Sequence, residues 1–253
     1  MTEEEALDDM RLPPVQRLPE SLPTRFEGWR STWTASLLAF WLIGYFLVGN
    51  ARTRTIAPDL ATSWDHAIPF WENWIWVYLG GILMVASPIL TIPTERQFLR
   101  VAKCYALAIG VALMTFTIFP VSSRELRAGA DGEGLEPLAS WALHTLRAVD
   151  PPVNLFPSLH VALCGLAAFA VAEARPRWRW AAYGGLVLVA MSTTVVKQHL
   201  VLDAVGGIAL ASAVWRWSAA GGESKAAAWH TPLAYVALVI VYMAFGLSYL
   251  LAA

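Results

Sequence analysis

Two histidines at the ends of apolar segments are the residues of this chain best suited to chemistry. His160 closes the motif Pro157-Ser158-Leu159-His160, which opens one apolar segment, and His199 lies at the junction of two others. One membrane span out and one back take about 20 residues each, so the spacing predicts that both imidazoles lie at the same membrane face. Ionisable groups at membrane depth are costly, which makes both histidines functional candidates.

A carboxylate and an anion-binding site accompany the histidines. Asp203 follows His199 by four residues, and on one helix the two would share a face, so that the carboxylate could fix the imidazole tautomer. Ser158 and the free N–H groups of a helix start would form a natural anion site. Arg124, at the outer end of the third apolar segment, is expected at the same face.

Two imidazoles, an orienting carboxylate, an anion-binding helix start and an arginine together suit phosphoryl transfer. A histidine supported by a carboxylate can form a phosphoenzyme, and a second histidine can protonate the departing alkoxide. Cationic and N–H donors would stabilise the charge on the equatorial phosphate oxygens. This chemistry requires no metal and no other cofactor.

The composition indicates that these residues are held by an integral membrane protein. Hydrophobic residues make up 57% of the 253, and charged residues only 15%, against about 25% in soluble domains. A membrane-spanning helix needs about 20 mostly apolar residues. We therefore predict an all-α, polytopic transmembrane bundle from seven apolar stretches: 33–50, 71–91, 99–120, 157–174, 178–196, 199–217 and 231–252.

The same stretches predict the organisation of the chain. Residues 1–32 are expected to form a disordered cytoplasmic tail, and 33–218 a six-helix core. Residues 219–253 are expected to form a linker and an additional C-terminal membrane helix. The longest connection, 121–156, is an outer loop whose amphipathic part, Leu135–Val149, could lie flat on the membrane as a lid.

Charge indicates orientation and partners. A cytoplasmic N-terminus puts twelve of the 18 arginines and lysines inside and six outside, as the positive-inside rule favours. The candidate site would then face the extracytoplasmic side. The near balance of 18 basic and 19 acidic residues gives no reason to expect nucleic acid. Cys104 and Cys164 lie in apolar stretches and are expected to be small buried residues.

The motifs resemble those of the type-2 phosphatidic acid phosphatase superfamily over about residues 70–215. Its second motif, P-S-G-H, is matched by Pro157-Ser158-Leu159-His160, with leucine in place of glycine. Its third, S-R-x5-H-x3-D, is matched by Ser192, His199 and Asp203, with Thr193 at the arginine position.

The first motif of that superfamily, K-x6-R-P, is the least well matched. Arg124 occupies the arginine position, with Thr117 in place of the lysine and Glu125 in place of the proline. These departures make the chain most similar to the branch of inositol phosphorylceramide synthases and sphingomyelin synthases. Members of that branch transfer a phosphoryl headgroup between lipids.

The resemblance implies roles for the candidate residues. His199 would be the nucleophile, Asp203 its orienting partner and His160 the general acid, whereas Arg124, Ser158 and Lys197 would bind phosphate. Lys197 would replace the charge that is lost at Thr193. The substrate would be a lipid or polyprenyl phosphate that enters from the membrane, and either water or a hydroxyl group would accept the phosphoryl group.

Three other interpretations stay open on the sequence. Two histidines and a carboxylate can bind zinc, so His160, His199 and Asp203 could serve a metal-dependent hydrolase, although the H-x3-H and H-E-x2-H patterns are absent. The histidines could couple protons in a transporter or belong to a lipid scaffold. The altered motifs could also mark an inactive homologue.

Overall fold

The computed structural model describes residues 25–52, 57–128 and 137–220. These residues form nine α-helices and no β-strand; two isolated bridges pair Asp59 with Ser122 and Val121 with Asn154. The predicted all-α fold is confirmed. The helices are α1 (Arg25–Arg52), α2 (Ser63–Ala67), α3 (Ile75–Thr91), α4 (Glu95–Ile118), α5 (Arg124–Ala128), α6 (Pro137–Val149), α7 (Leu159–Ala174), α8 (Arg179–Val195) and α9 (Val201–Ala220).

Six of these helices are long and form the bundle, with α7 at its centre. Helix α7 packs against α3, α4, α8 and α9, and α1 packs on α4. Small residues in α7 and α9 let the backbones of these two helices approach closely. A Cβ atom on Gly165 would lie 2.8 Å from the Cβ of Ala211 in α9, and one on Gly207 would lie 2.5 Å from the carbonyl oxygen of Ser158.

Within the part of the chain that the structure describes, three helical stretches are long and apolar enough to cross a membrane: Trp29–Ala51, Glu72–Thr91 and Glu95–Ile118. Helix α7 is apolar but shorter, with 16 residues. Its central position explains its composition, because small apolar residues that contact helices all round need not face lipid.

Some predicted boundaries are wrong. Helix α1 begins at Arg25, inside the stretch expected to be a tail, and the side chain of Arg30 in it donates hydrogen bonds to the carbonyl oxygens of Ile89 and Ile92 at the end of α3. These hydrogen bonds hold the polar first turns of α1 against the end of α3. Residues 1–24 and the predicted C-terminal helix at 231–252 lie outside the described residues.

The two ends of the bundle differ. At one end, Arg100 forms an ion pair with Glu173 at 2.9 Å, and Arg175 donates a hydrogen bond to the carbonyl oxygen of Thr91. The opposite end, which we call the site end, carries the start of α7, the α8–α9 connection and the loop after α4. Leu155, Leu200, Val121 and Leu126 pack together there.

The described parts of the long connection between α4 and α7, residues 119–128 and 137–158, are folded onto the site end. Helix α6 buries Ala139, Ala142 and Leu143 against Ile75, Tyr78 and Val196. From Pro137 the predicted amphipathic stretch is therefore helical; one face packs on the protein, whereas Leu138 and Trp141 stay exposed.

A buried ion pair ties α5 to the rest of the site end. Arg127 donates to the carboxylate of Asp150 at 2.6 Å, and the hydroxyl of Tyr45 in α1 donates to the other oxygen of that carboxylate at 2.5 Å. Because each charge has a partner, the cost of burying the pair is offset.

Candidate active site

His160 lies in the first turn of α7 and is held by α3. Its imidazole stacks on the ring of Tyr78, with 4.3 Å between ring centroids and 2° between the planes, and its Nε2 lies 3.0 Å from the carbonyl oxygen of the same residue. A carbonyl oxygen can only accept, so Nε2 carries the proton in this hydrogen bond. The other nitrogen, Nδ1, is therefore the one available for proton transfer.

Space for this imidazole comes from a glycine on α3. A Cβ atom on Gly81 would overlap Nε2 of His160 and lie 2.9 Å from its Cε1. The neighbouring Gly80 has nothing within 4 Å of the same position. Of this glycine pair, only Gly81 is required by the position of the candidate general acid.

Ser158 is the N-cap of α7 and is completely buried. Its hydroxyl oxygen accepts a hydrogen bond from the backbone N–H of Val161 at 3.3 Å, and its own N–H donates to the carbonyl oxygen of Asp203 at 2.9 Å. Ser158 thus joins the start of α7 to the start of α9. Its hydroxyl hydrogen remains a possible donor to an anion.

His199 and Asp203 come together, but they do not lie on one helix as predicted. Helix α9 begins at Val201, and His199 lies in the connection before it. The Nδ1 atom of His199 is 3.5 Å from Oδ2 of Asp203, and it has no hydrogen-bond partner within the described residues. Oδ2 instead accepts the backbone N–H of Leu200 at 2.8 Å, as a helix-capping carboxylate does.

The two histidines lie at the same end of the bundle. The backbone hydrogen bond from Ser158 to the carbonyl oxygen of Asp203 joins the two segments that carry them. His199 is 6% exposed and Asp203 1%. A nearly enclosed imidazole and carboxylate therefore lie beside the more open His160, a suitable arrangement for holding a phosphate away from bulk water.

Lys197 has a position that the sequence did not indicate. Its ammonium group donates to the backbone carbonyl oxygens of Asp65 and Ile68, both at 2.6 Å. Burial lowers the pKa of this ammonium, and the nearby Asp65 opposes that effect. Two of its three donors are therefore directed to the segment around α2.

Arg124 begins α5, at the site end, and its side chain is exposed. Its backbone N–H donates a hydrogen bond to the hydroxyl oxygen of Ser122 at 3.2 Å. An exposed guanidinium at the rim suits the capture of a phosphate that arrives from the membrane surface.

Two of the four positions where the motifs depart from the family pattern are occupied by threonines whose hydroxyl groups bond to their own helices. Thr193 is buried and donates to the carbonyl oxygen of Ala190 at 2.7 Å, and Thr117 donates to that of Leu113 at 2.8 Å. Neither threonine supplies a charge.

Two residues of the site end were missed by the sequence analysis. Gln198, next to His199, is 0% exposed, and neither atom of its amide has a hydrogen-bond partner among the described residues. Asp65, in α2, accepts the backbone N–H of Val201 at 2.7 Å. Gln198 could have been found from its adjacency to His199. Asp65 gave no sequence signal, because it lies 136 residues from its partner Val201.

Within the described residues, no three histidine, cysteine, aspartate or glutamate side chains converge as a group that could hold a metal ion. His199 and Asp203 approach each other, but His160 is directed to Tyr78. The geometry therefore gives the zinc interpretation no ligand set in this part of the chain.

Comparison with known proteins gives one family. A family model described as the PAP2 superfamily matches residues 65–217, which is more than half of the chain and includes every candidate site residue. Comparisons with curated proteins and with solved structures gave no match.

Proposed function

Because the chain belongs to the PAP2 superfamily, an integral membrane family of phosphatase-type enzymes, we propose that it transfers the phosphoryl group of a lipid phosphate through a phosphohistidine on His199. The observation that carries this proposal is the pairing of His199 with Asp203 beside His160. Nδ1 of His199 lies 3.5 Å from Oδ2 of Asp203, and the hydrogen bond from Ser158 to the backbone of Asp203 holds the start of α7, which carries His160, against the same segment.

The first step forms the phosphoenzyme. Nδ1 of His199 faces Asp203, so Nε2 attacks the phosphorus. An N–P bond forms, and the P–O bond to the lipid breaks. His160, which starts this step with a proton on each nitrogen, gives its Nδ1 proton to the departing alkoxide and keeps its Nε2 proton on the carbonyl oxygen of Tyr78, while the carboxylate of Asp203 stabilises the positive charge on His199.

The second step resolves the phosphoenzyme. A water molecule or a lipid or polyol hydroxyl gives its proton to His160 as its oxygen attacks the phosphorus, and the N–P bond breaks. Arg124 and the Ser158 hydroxyl are the proposed phosphate donors. The buried amide of Gln198, which has no hydrogen-bond partner among the described residues, is a further proposed donor beside the nucleophile, since an unsatisfied buried amide is costly and a bound phosphate would satisfy it.

A lipid acceptor is the finer proposal. It is supported by the departures of the motifs at Leu159 and Thr193, which resemble the branch of inositol phosphorylceramide synthases and sphingomyelin synthases. Incubation with a panel of lipid phosphates, with and without alcohol acceptors, distinguishes the two outcomes. Free phosphate identifies a phosphatase, and a new phospholipid identifies a transferase.

The phosphohistidine itself is tested with a radiolabelled lipid phosphate and purified protein. We expect an acid-labile, base-stable phosphoprotein whose label maps to His199, with inhibition by vanadate and full activity in EDTA. His199→Ala should abolish labelling in a protein that still folds. An activity that is insensitive to vanadate and lost in EDTA would overturn the mechanism in favour of a metal-dependent hydrolase.

A further inference from the structure

The connection that carries His199 has a strained backbone. It joins α8 to α9 through residues 196–200, and within the described residues Lys197 is the one non-glycine residue with a positive φ, 58°. A left-handed conformation is unfavourable for a residue with a side chain. Such strain persists where the surroundings hold the backbone in place.

The segment around α2 holds this connection from both sides of His199. Before the histidine, the Lys197 ammonium donates to the carbonyl oxygens of Asp65 and Ile68. After it, the backbone N–H of Val201 donates to Oδ1 of Asp65 at 2.7 Å. One residue, Asp65, therefore contacts the chain on each side of the candidate nucleophile.

Asp65 is itself firmly placed. It is 2% exposed, and its Oδ2 accepts the backbone N–H and the hydroxyl of Thr62 at 2.8 and 2.7 Å. Burial alone would disfavour its charged form. The hydrogen bonds from Thr62 and Val201, together with the Lys197 ammonium, nevertheless hold the pKa of this carboxyl below its ordinary value. The carboxylate is thus a fixed, ionised acceptor at the start of α9.

We infer that Asp65 is a positioning residue of the active site, which acts with Lys197 as a clamp on the connection that carries His199. This inference rests on the proposed function of His199. In this arrangement the Lys197 ammonium holds the connection in place and does not bind phosphate. The clamp fixes the distance from His199 to the phosphate, and a displacement of about 1 Å can cost 100-fold in rate.

The test uses Asp65→Ala and Lys197→Met in the purified full-length protein. We expect kcat for the lipid phosphate to fall by about 10- to 100-fold, with KM little changed, because the proposed phosphate donors remain. The double variant should lose no more than the worse single variant, since both residues serve one clamp. Lys197→Arg, which keeps the donors, should recover part of kcat.

Asp59→Asn is the matched control. Asp59 lies in the same segment, and its carboxylate accepts the nearby N–H of Ala61 at 2.7 Å without reaching the α8–α9 connection. It should retain wild-type kcat. A fall in thermal stability with an unchanged kcat in the Asp65 and Lys197 variants would show a merely structural role and overturn the inference. A raised KM with unchanged kcat in Lys197→Met would overturn it too, because Lys197 would then bind phosphate.

A readout without catalysis separates this inference from the proposed function. The rate at which diethyl pyrocarbonate modifies His199, mapped by mass spectrometry, reports the enclosure of its imidazole. We expect faster modification in Asp65→Ala and Lys197→Met than in the wild type and Asp59→Asn. Equal rates would overturn the clamp. A wild-type protein that is inactive and takes up no radiolabelled phosphate would overturn the phosphohistidine mechanism. The modification rates would still show whether Asp65 and Lys197 hold the connection in place.

Discussion

The two histidines differ in their surroundings, and this difference supports the roles proposed for them. His199 is enclosed, with one nitrogen facing the Asp203 carboxylate, which suits a nucleophile that must carry positive charge. His160 is less buried, and its Nε2 proton is engaged with the carbonyl oxygen of Tyr78. One free nitrogen, fixed by a stacked ring, suits a group that delivers and accepts a single proton.

Replacing His160 should therefore have an effect that depends on the leaving group. For His160→Ala we expect activity on a lipid phosphate to fall by roughly 100- to 10,000-fold, the range typical of general acids. p-Nitrophenyl phosphate releases a phenolate that needs no proton, so its first step should change by less than about tenfold. Burst kinetics on both substrates provide the measurement. A similar loss on both would contradict the general-acid role and indicate that His160 binds phosphate.

At the scale of elements, the site depends on close contacts between helices at small residues. Helix α3 approaches His160 at Gly81, and α9 approaches the start of α7 at Gly207. Ser158 then bonds to the backbone of Asp203 across that contact. The proposed catalytic residues are thus positioned by how closely three helices approach each other, and a single added methyl group would alter that approach.

The glycine pair in α3 allows a matched test of this point. In Gly81→Ala the new methyl would overlap Nε2 of His160 and lie 3.1 Å from Cγ1 of Val189, so the imidazole must leave its hydrogen bond to Tyr78. We expect kcat to fall toward the level of His160→Ala. In Gly80→Ala the methyl enters open space, and alanine favours the helix by up to about 1 kcal/mol.

The two glycine variants are compared by kcat per folded molecule and by thermal unfolding. Gly80→Ala should keep wild-type activity and equal or exceed wild-type stability. Equal activity in both variants would show that the His160 ring can move aside without loss of function. Gly81 would then not be required for the position of His160.

At the scale of the whole molecule, the sequence predicts some features well because their signals are local. Long apolar runs predict helices, since the bilayer sets their length, and the same rule brought His160 and His199 to one end. The sequence could predict neither the role of Asp65 nor the direction of the Lys197 side chain. The role of Asp65 depends on its contact with Val201, 136 residues away, and the direction of the Lys197 side chain depends on the positive φ of that residue. The start of α9 was misplaced because His199 and Leu200 continue the apolar pattern although the helix begins after them.

The orientation of the molecule is a prediction of the positive-inside rule alone, and single cysteines can test it. Ala128→Cys lies at the site end and Thr94→Cys at the opposite end, in the α3–α4 connection, and both positions are exposed. The native Cys104 and Cys164 are buried, so the unsubstituted protein should stay unlabelled as the control. With a membrane-impermeant maleimide, Ala128→Cys should react in intact cells and Thr94→Cys only after permeabilisation. The reverse pattern would turn the site toward the cytoplasm, and the lipid phosphate would then have to come from the inner leaflet.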